Sequence, residues 1–166
     1  MNRKRKWFES DEVKVEHKDF LVTQVYCWLF SKDKKVALVS KRDKKWQFPG
    51  GHPKAGETSI KTLKREIKEE TSFDISGFKP PPKMFGYYLV QEIDGNKVIR
   101  EYLQLRFSLF IKMGSDQLNL NPNENVLDEE VDKIIFASWF GLDEARDKIS
   151  WLTESAELKS FLKSVY

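Results

Sequence analysis

The segment Gly51–Ser72 constrains the fold of this chain more than any other part of the sequence. A loop rich in glycine and proline leads to Glu57–Ser59, and no further glycine or proline occurs before Gly77. An uninterrupted segment that follows such a loop and opens with hydroxyl residues is typical of a helix start. The sequence therefore predicts a helix over residues 57–71.

The predicted helix has three different faces. Residues three or four positions apart lie next to each other, because successive residues turn by about 100°. The apolar face consists of Ile60, Leu63 and Ile67. The adjacent acidic face consists of Glu66, Glu69 and Glu70, and the third face carries Lys61, Lys64 and Lys68. The acids therefore border the buried side of the helix, away from the lysines that would neutralise them.

An acidic face in this position is unfavourable without a cation. Like charges four residues apart destabilise a helix by about 0.2–0.5 kcal/mol per pair, and a nearby apolar wall raises carboxylate pKa values. A hard cation such as Mg2+, which binds carboxylates together with substrate phosphates, removes this penalty. The alternative is a solvated acidic surface, which is the ordinary meaning of a run of glutamates. The register of the whole series favours the metal site.

The same series resembles the signature of the Nudix hydrolase family. With the spacing found here, that signature is Gly, five residues, Glu, seven residues, Arg-Glu, an aliphatic residue, any residue, Glu-Glu, any residue, Gly and an aliphatic residue. The matching residues are Gly51, Glu57, Arg65, Glu66, Ile67, Glu69 and Glu70, after the lead-in Phe48-Pro49-Gly50. A compatible strand pattern extends the resemblance over residues 20–145. It implies an α/β/α sandwich with a mixed, partly antiparallel sheet.

The sequence departs from the signature where the helix ends. Ser72-Phe73 stands where the family has Gly and an aliphatic residue. If Ser72 adopts the left-handed conformation that glycine favours at a helix end, the cost is on the order of 1 kcal/mol. The alternative is a helix that continues towards Gly77. Either outcome changes the end of the helix and leaves the acids in place.

The resemblance implies a role for each acid and for one arginine. A Mg2+ (or Mn2+) ion is expected to be bound by Glu66, Glu69, Glu70 and the carbonyl group of Gly50. The implied catalytic residues are Glu69, Glu66, Arg65 and Glu57. Arg65 is expected to hold carboxylates in position through its fixed guanidinium fork, with Glu57 as a partner. Glu57 is alternatively an acid at the helix start that the macrodipole favours.

The general base is left open by the sequence. In Nudix hydrolases it is sometimes a glutamate of the helix and sometimes a carboxylate on a downstream loop. The loop candidates here are Glu124, Asp128, Glu129 and Glu130. Glu130 is preferred among them because it is closest to the next predicted strand.

Basic and aromatic side chains outside the signature are candidates for substrate binding. The candidates are Arg100, Arg106, Tyr88, Trp46 and Phe48. The arginines either bind phosphate or simply lie on the exposed side of their strand, whereas Trp46 or Phe48 could stack on a base. Ordinary packing on a strand is the alternative for the aromatic residues. These residues do not select a substrate.

Composition indicates one domain and excludes several classes of function. The 166 residues suit an N-terminal extension or edge strand over 1–19 and a single domain over 20–166. The net charge of +3 gives no argument for a nucleic-acid partner, and the apolar run Phe20–Phe30 is too short to span a bilayer. Cys27, the only cysteine, excludes an internal disulfide. Acids follow the basic N-terminus, so a cytoplasmic protein is expected, and a homodimer is left open.

The other predicted elements surround the signature with strands and helices. The predicted strands are Phe20–Phe30, Val36–Ser40, Met84–Ile93, Val98–Ile111 and Lys133–Phe140, and the predicted helices are Gly141–Ile149 and Thr153–Val165. Asp94-Gly95 is a hairpin signal between two of the strands.

The predicted activity is hydrolysis of a pyrophosphate bond in a nucleoside diphosphate linked to another moiety. Nucleoside triphosphates, dinucleoside polyphosphates and nucleotide sugars are the substrate classes, and a metal-activated water is the nucleophile. One alternative is an isomerase of the isopentenyl diphosphate type, which needs a catalytic cysteine, but Cys27 lies far before the signature. The other is a non-catalytic Nudix-like module that binds nucleotide or protein, which the intact helix acids disfavour.

Overall fold

The computed structural model describes residues 2–41, 45–122 and 134–165. Its strands are β1 (Asn2–Glu9), β2 (Val22–Ser31), β3 (Lys35–Ser40), β4 (Trp46–Gln47), β5 (Gly50–Gly51), β6 (Lys83–Asp94), β7 (Lys97–Ile111) and β8 (Phe136–Gly141). Its helices are α1 (Ser59–Thr71), α2 (Leu142–Lys148) and α3 (Ala156–Val165). Short 3-10 turns occur at Val15–His17, Ser115–Gln117 and Ser150–Leu152.

The strands form one mixed sheet. Its order is β1-β6-β7-β2-β3-β4, and β5 pairs with β2 while β8 pairs with β3. The pair β2–β7 is parallel, with Val22 opposite Leu103 and Ser31 opposite Ile111, and the other described pairs are antiparallel. The predicted hairpin turns at Gly95, which has a φ of 58°. The strand β1 lies at one edge and pairs with β6 along its whole length.

Successive side chains of a strand point to opposite faces of the sheet, so the central strands place apolar side chains on both faces. On one face, Val25, Cys27 and Leu29 of β2 pack in a cluster with Leu63 and Ile67 of α1. On the other face, the cluster contains Trp28 and Phe30 of β2, Ala145 of α2 and Phe161 of α3. Helices therefore cover both faces, which confirms the predicted α/β/α sandwich.

The helix α1 ends at the departure from the signature. Ser72 adopts the left-handed conformation, with φ 57° and ψ 6°, and its N–H donates to the Lys68 carbonyl group. At the other end, the Thr58 hydroxyl accepts from the Lys61 N–H and caps the helix. The first of the two alternatives for Ser72 is therefore the observed one.

Two element boundaries near the C-terminus differ from the prediction. The strand β8 is described from Phe136, and the predicted start at Lys133 lies outside the described residues. The helix α3 begins at Ala156 instead of Thr153, because the Ser155 hydroxyl accepts a hydrogen bond from the Leu158 N–H at 3.1 Å and caps it there. No helix in the described ranges is long and apolar enough to cross a membrane.

Candidate active site

The loop before α1 packs directly against β2. Gly50, with a φ of 140°, lies opposite Tyr26. A Cβ atom at Gly50 would come 2.1 Å from the Val25 carbonyl oxygen and 2.8 Å from the Tyr26 Cα. Both the backbone conformation and the space therefore require glycine at this position.

The next glycine leaves room for a carboxylate of the helix. A Cβ atom at Gly51 would lie 2.6 Å from both Cδ and Oε1 of Glu66. The Glu66 side chain is only 15% exposed, so the loop and the helix enclose it. The glycine pair in the sequence thus serves two different contacts, one with β2 and one with α1.

Glu70 is the acid that is held most closely by the loop. The N–H of Gly50 donates to Glu70 Oε2 at 2.8 Å, so the carboxylate points into the protein. Burial raises the pKa of Glu70 to about 8 against the opposing effect of this hydrogen bond, and the charges of Glu66 and Glu69 add to the rise. A cation at this place would offset both the burial and the like charges.

Arg65 connects the acids to the loop. Its Nε and Nη2 donate to the two carboxylate oxygens of Glu57 at 2.8 and 2.9 Å. Its Nη1 donates to Glu66 Oε1 at 2.7 Å and to Glu69 Oε2 at 3.3 Å, and Nη2 also reaches the His52 carbonyl oxygen at 3.1 Å. One guanidinium group therefore fixes the relative positions of three carboxylates and the loop.

Glu57 completes this network from the start of the helix. The hydrogen bond from Arg65 lowers the pKa of Glu57 to about 2, and a bond from the Lys54 N–H contributes to the same effect. The Thr62 hydroxyl also donates to Glu57, at 3.1 Å. Glu57 therefore joins the loop, the helix and Arg65 in one cluster.

The donor set fits a hard cation, although the helix acids alone do not form a complete metal centre. Carboxylate oxygens and a backbone carbonyl group are the ligands that Mg2+ prefers. Among the described residues, no three Asp, Glu, His or Cys side chains converge as a group that could hold a metal ion. Arg65 holds Glu66, and the Glu69 side chain is 52% exposed. Ligation by Glu66, Glu69, Glu70 and the Gly50 carbonyl group stays a prediction.

The predicted substrate-binding residues lie in different surroundings. Arg106 is buried, and its Nε donates to Glu157 at 3.0 and 3.1 Å. Tyr88 lies beneath the Arg106 guanidinium, 5.3 Å from it. Phe48 is buried with its ring stacked on Trp28, at a centroid distance of 4.0 Å.

The two remaining candidates lie apart from each other. Trp46 packs edge-on against Phe140 and carries the Lys148 ammonium group over its ring. Arg100 is exposed and lies over the Tyr102 ring, 5.2 Å from its centroid. Substrate binding by these residues stays a prediction.

Two adjoining cavities lie on the same sheet face as α3, and no residue of α3 is among their lining residues. The first has a volume of about 250 Å³ and is lined by Tyr26, Gln47, Phe48, Arg106 and Trp151. The second has a volume of about 280 Å³ and is lined by Arg3, His52, Arg100 and Tyr102. Their shared wall consists of Arg5, Gln24 and Gln104.

The sequence prediction missed this shared wall. Gln24 and Gln104 are amides within strands that are otherwise largely apolar, and such an interruption is the signal that could have found them. Arg3 and Arg5 alternate with lysines at a spacing that places both arginines on one face of β1.

The candidates for the general base, Glu124, Asp128, Glu129 and Glu130, lie outside the described residues.

The fold and the site define an α/β/α protein in which a glycine loop and an acid-bearing helix form one cluster. The family model described as NUDIX domain matches residues 21–160. The chain belongs to this family, as its signature predicted, and family membership supports an enzyme of the pyrophosphohydrolase type. A search of curated proteins found no match.

Solved structures with the same fold come from bacteria and an animal. A variant of the pyrophosphohydrolase BsRppH from Bacillus subtilis is 18% identical, with a TM-score of 0.58 over 98% of this chain and 93% of that one. The Ap4A hydrolase of C. elegans is 16% identical, with a TM-score of 0.57 over 88% and 99%. The NUDIX domain of Shewanella oneidensis NrtR, solved with ADP ribose, is 14% identical, with a TM-score of 0.54 over 81% and 82%. At these identities the likeness concerns the fold alone.

Proposed function

We propose that this protein hydrolyses a pyrophosphate bond in a nucleoside diphosphate linked to another moiety, with Mg2+ (or Mn2+) as its cofactor. The observation that carries the proposal is the acid cluster around Arg65. The Arg65 guanidinium group donates hydrogen bonds to Glu57, Glu66 and Glu69. Beside them, Glu70 accepts a hydrogen bond from the Gly50 N–H. Three carboxylates share the single Arg65 guanidinium group and a fourth, that of Glu70, has no cationic partner within hydrogen-bond distance among the described residues, so the cluster carries more acids than cations next to the loop. A nucleotide phosphate could approach this cluster only together with cations.

The residues of the cluster have separate tasks in this proposal. Glu66, Glu69, Glu70 and the Gly50 carbonyl group would hold the cation, which when bound neutralises phosphate charge and lowers the pKa of a water molecule. Arg65 and Glu57 position these acids through the contacts described above. The general base is proposed to be Glu69, which is the most exposed acid of the cluster, or Glu130.

The substrate classes are the three predicted from the sequence. The names of the solved neighbours include hydrolysis of Ap4A and a complex with ADP ribose, so dinucleoside polyphosphates and ADP ribose belong in the first set of substrates tested. A cytoplasmic location, the lack of a specific nucleic-acid partner and a homodimer stay expectations from the sequence.

The test is phosphate release from a panel of nucleotides in the presence and absence of Mg2+. Wild-type protein is expected to hydrolyse at least one member only with the metal. Glu66→Gln and Glu70→Gln each remove a proposed cation ligand and are expected to lower that rate about a hundredfold. Glu12→Gln changes an exposed glutamate outside the cluster and is expected to keep the wild-type rate.

A non-catalytic module is the outcome that would replace this proposal. If wild-type protein hydrolysed no member of the panel, yet bound nucleotide as tightly as Glu70→Gln, the chain would be a binding module.

A further inference from the structure

The sheet has an open edge beside the end of β7. The strand β6 begins at Lys83, opposite Ser108, because the three residues before it are prolines, which lack a backbone N–H. Residues 109–111 continue β7 beyond this point and still pair with β2 on their other side. Among the described residues, no backbone hydrogen bond joins residues 109–113 to residues 78–82. The end of β7 therefore has a neighbouring strand on one side only.

An apolar groove runs between this open edge and the proline segment. It has a volume of about 450 Å³, and its apolar lining includes Phe78, Pro81, Phe110, Met113 and Val165. Phe110 is 51% exposed and Met113 is 42% exposed. Large apolar side chains that are exposed together, in place of being scattered singly, mark a contact surface. We call this surface the edge groove.

The edge groove carries positive charge without a balancing acid. Lys79, Lys83 and Lys112 line it and are exposed, and its lining contains no aspartate or glutamate. None of the three lysines forms an ion pair with a described residue, whereas the exposed Lys68 and Lys163 pair with carboxylates at 3.0 and 3.1 Å. An anionic partner would therefore be attracted to the groove.

The open edge of β7 selects the chemistry of that partner. Along a strand, backbone N–H and C=O groups point alternately to the two edges, so an open edge offers donors and acceptors to a further strand. An extended peptide satisfies these groups with its own backbone, and its alternate side chains enter the adjoining groove. An acyl chain with a carboxylate head would match the apolar lining and the lysines, but it has no backbone groups to pair with β7.

We propose that the edge groove binds an extended acidic peptide segment of a partner protein, which adds a strand to β7 along residues 109–111. Apolar side chains of the segment would pack on Phe110 and Met113, and its carboxylates would meet Lys83 and Lys112. No residue that lines the groove belongs to α1 or to the glycine loop. The groove is therefore a docking surface separate from the acid cluster around Arg65.

The test measures peptide binding by fluorescence anisotropy in the absence of nucleotide and metal. The probe is a short labelled peptide in which valine and glutamate alternate. Wild-type protein is expected to bind it about tenfold or more tightly than the same peptide with lysine in place of glutamate. Methylation of all backbone nitrogens of the acidic peptide is expected to weaken binding about tenfold or more, because the peptide then donates no backbone hydrogen bond.

Three variants locate the bound peptide. Lys112→Glu reverses a charge of the groove, and Phe110→Ala removes an exposed ring, so each is expected to weaken binding of the acidic peptide about tenfold. Lys18→Glu makes the same charge change at an exposed lysine outside the groove and is expected to keep the wild-type affinity. Urea unfolding checks that each variant is folded. All three are expected to keep the wild-type rate of nucleotide hydrolysis, because none of these residues belongs to the acid cluster.

Several results would overturn the proposal. Wild-type protein that binds no acidic peptide, or binds the acidic and the lysine peptide equally, would refute an acidic partner. Undiminished affinity for the methylated peptide would refute strand addition. Equal losses in Lys112→Glu and Lys18→Glu would show an attraction by overall charge without a defined groove. Binding of dodecanoate that depends on Phe110, without binding of the acidic peptide, would replace the peptide with an acyl-chain ligand.

Discussion

Two arginines of this protein hold glutamates in opposite ways. Arg106 pairs with Glu157 inside the core, where the two side chains are 6% and 0% exposed and Trp28 Nε1 donates to the same carboxylate at 2.9 Å. Arg65 lies on α1, is 20% exposed, and contacts Glu57, Glu66 and Glu69 together. The first cluster is balanced in charge and buried, whereas the second has more carboxylates than cations and is partly exposed to solvent.

The difference distinguishes a structural cluster from a functional one. A balanced buried pair satisfies itself, and its removal mainly affects folding. A cluster with more carboxylates than cations is satisfied only when a further cation binds, so its removal should mainly affect activity. Variants of the two clusters should therefore differ in whether they lose stability or activity.

Breaking the buried pair should cost the most stability. Arg106→Met leaves Glu157 as an uncompensated charge in the core, which is expected to lower the free energy of unfolding by about 3–5 kcal/mol. Urea unfolding measures the change. The control is Arg146→Leu, which breaks the exposed pair with Asp143 and should cost less than about 1 kcal/mol. Equal losses in both variants would show that burial of the pair is irrelevant.

Changing Arg65 should affect catalysis more than folding. Lysine keeps the charge but lacks the fork that holds three carboxylates, so misplaced acids are expected to lower kcat on the order of a hundredfold in Arg65→Lys. Steady-state hydrolysis of a substrate found in the nucleotide panel, together with urea unfolding, measures both effects. A variant with the wild-type rate and a stability loss as large as that of Arg106→Met would reverse the proposed division.

The end of α1 should influence stability without influencing the acids. Ser72→Gly removes a left-handed serine, a relief of roughly 1 kcal/mol that the greater freedom of glycine in the unfolded chain partly offsets. A net stabilisation of about 0.5 kcal/mol with unchanged kcat is expected from these opposing terms. Ser72→Ala retains the unfavourable backbone and should give no stabilisation. A change of rate in Ser72→Gly would show that helix termination is coupled to the site.

The smallest expected effect is the loss of folding stability at low pH that Glu57 contributes. Its pKa is lowered from 4.5 to about 2 by Arg65, so the folded state binds this proton less readily than the unfolded chain. The stabilisation is therefore complete above pH 4.5 and is lost as the pH falls towards 2. Urea unfolding of wild-type protein and Glu57→Gln between these limits should show a difference that shrinks with acidity. A constant difference would contradict the contribution of the Arg65 contact.

The site near α1 was predictable from the sequence because its contacts are local. Helical spacing alone places Glu66, Glu69 and Glu70 on one sector, and Glu57 is only eight positions from Arg65. The sandwich could be predicted through the family resemblance and the strand pattern.

The cavity was not predictable because it depends on a long-range strand pairing. Gln24 and Gln104 meet only in the parallel register of β2 and β7, with many residues between them in the chain. The sequence also could not show whether Arg106 binds phosphate or pairs with an acid in the core. Its partner Glu157 lies on α3, 51 residues further along the chain. Polar residues in apolar strands indicate either a buried pair or a site, and only the fold decides between them.

The claim that the acids around Arg65 hold a metal ion is tested most directly by measuring Mn2+ binding with electron paramagnetic resonance. The three proteins compared are wild type, Glu12→Gln and Glu66→Gln. Wild-type protein and Glu12→Gln are expected to bind the ion with equal affinity, because the acid excess around Arg65 is unchanged. Glu66→Gln is expected to bind it on the order of tenfold or more weakly, as an ionised ligand is lost. Equal Mn2+ binding by all three proteins would contradict the claim that this cluster holds a metal.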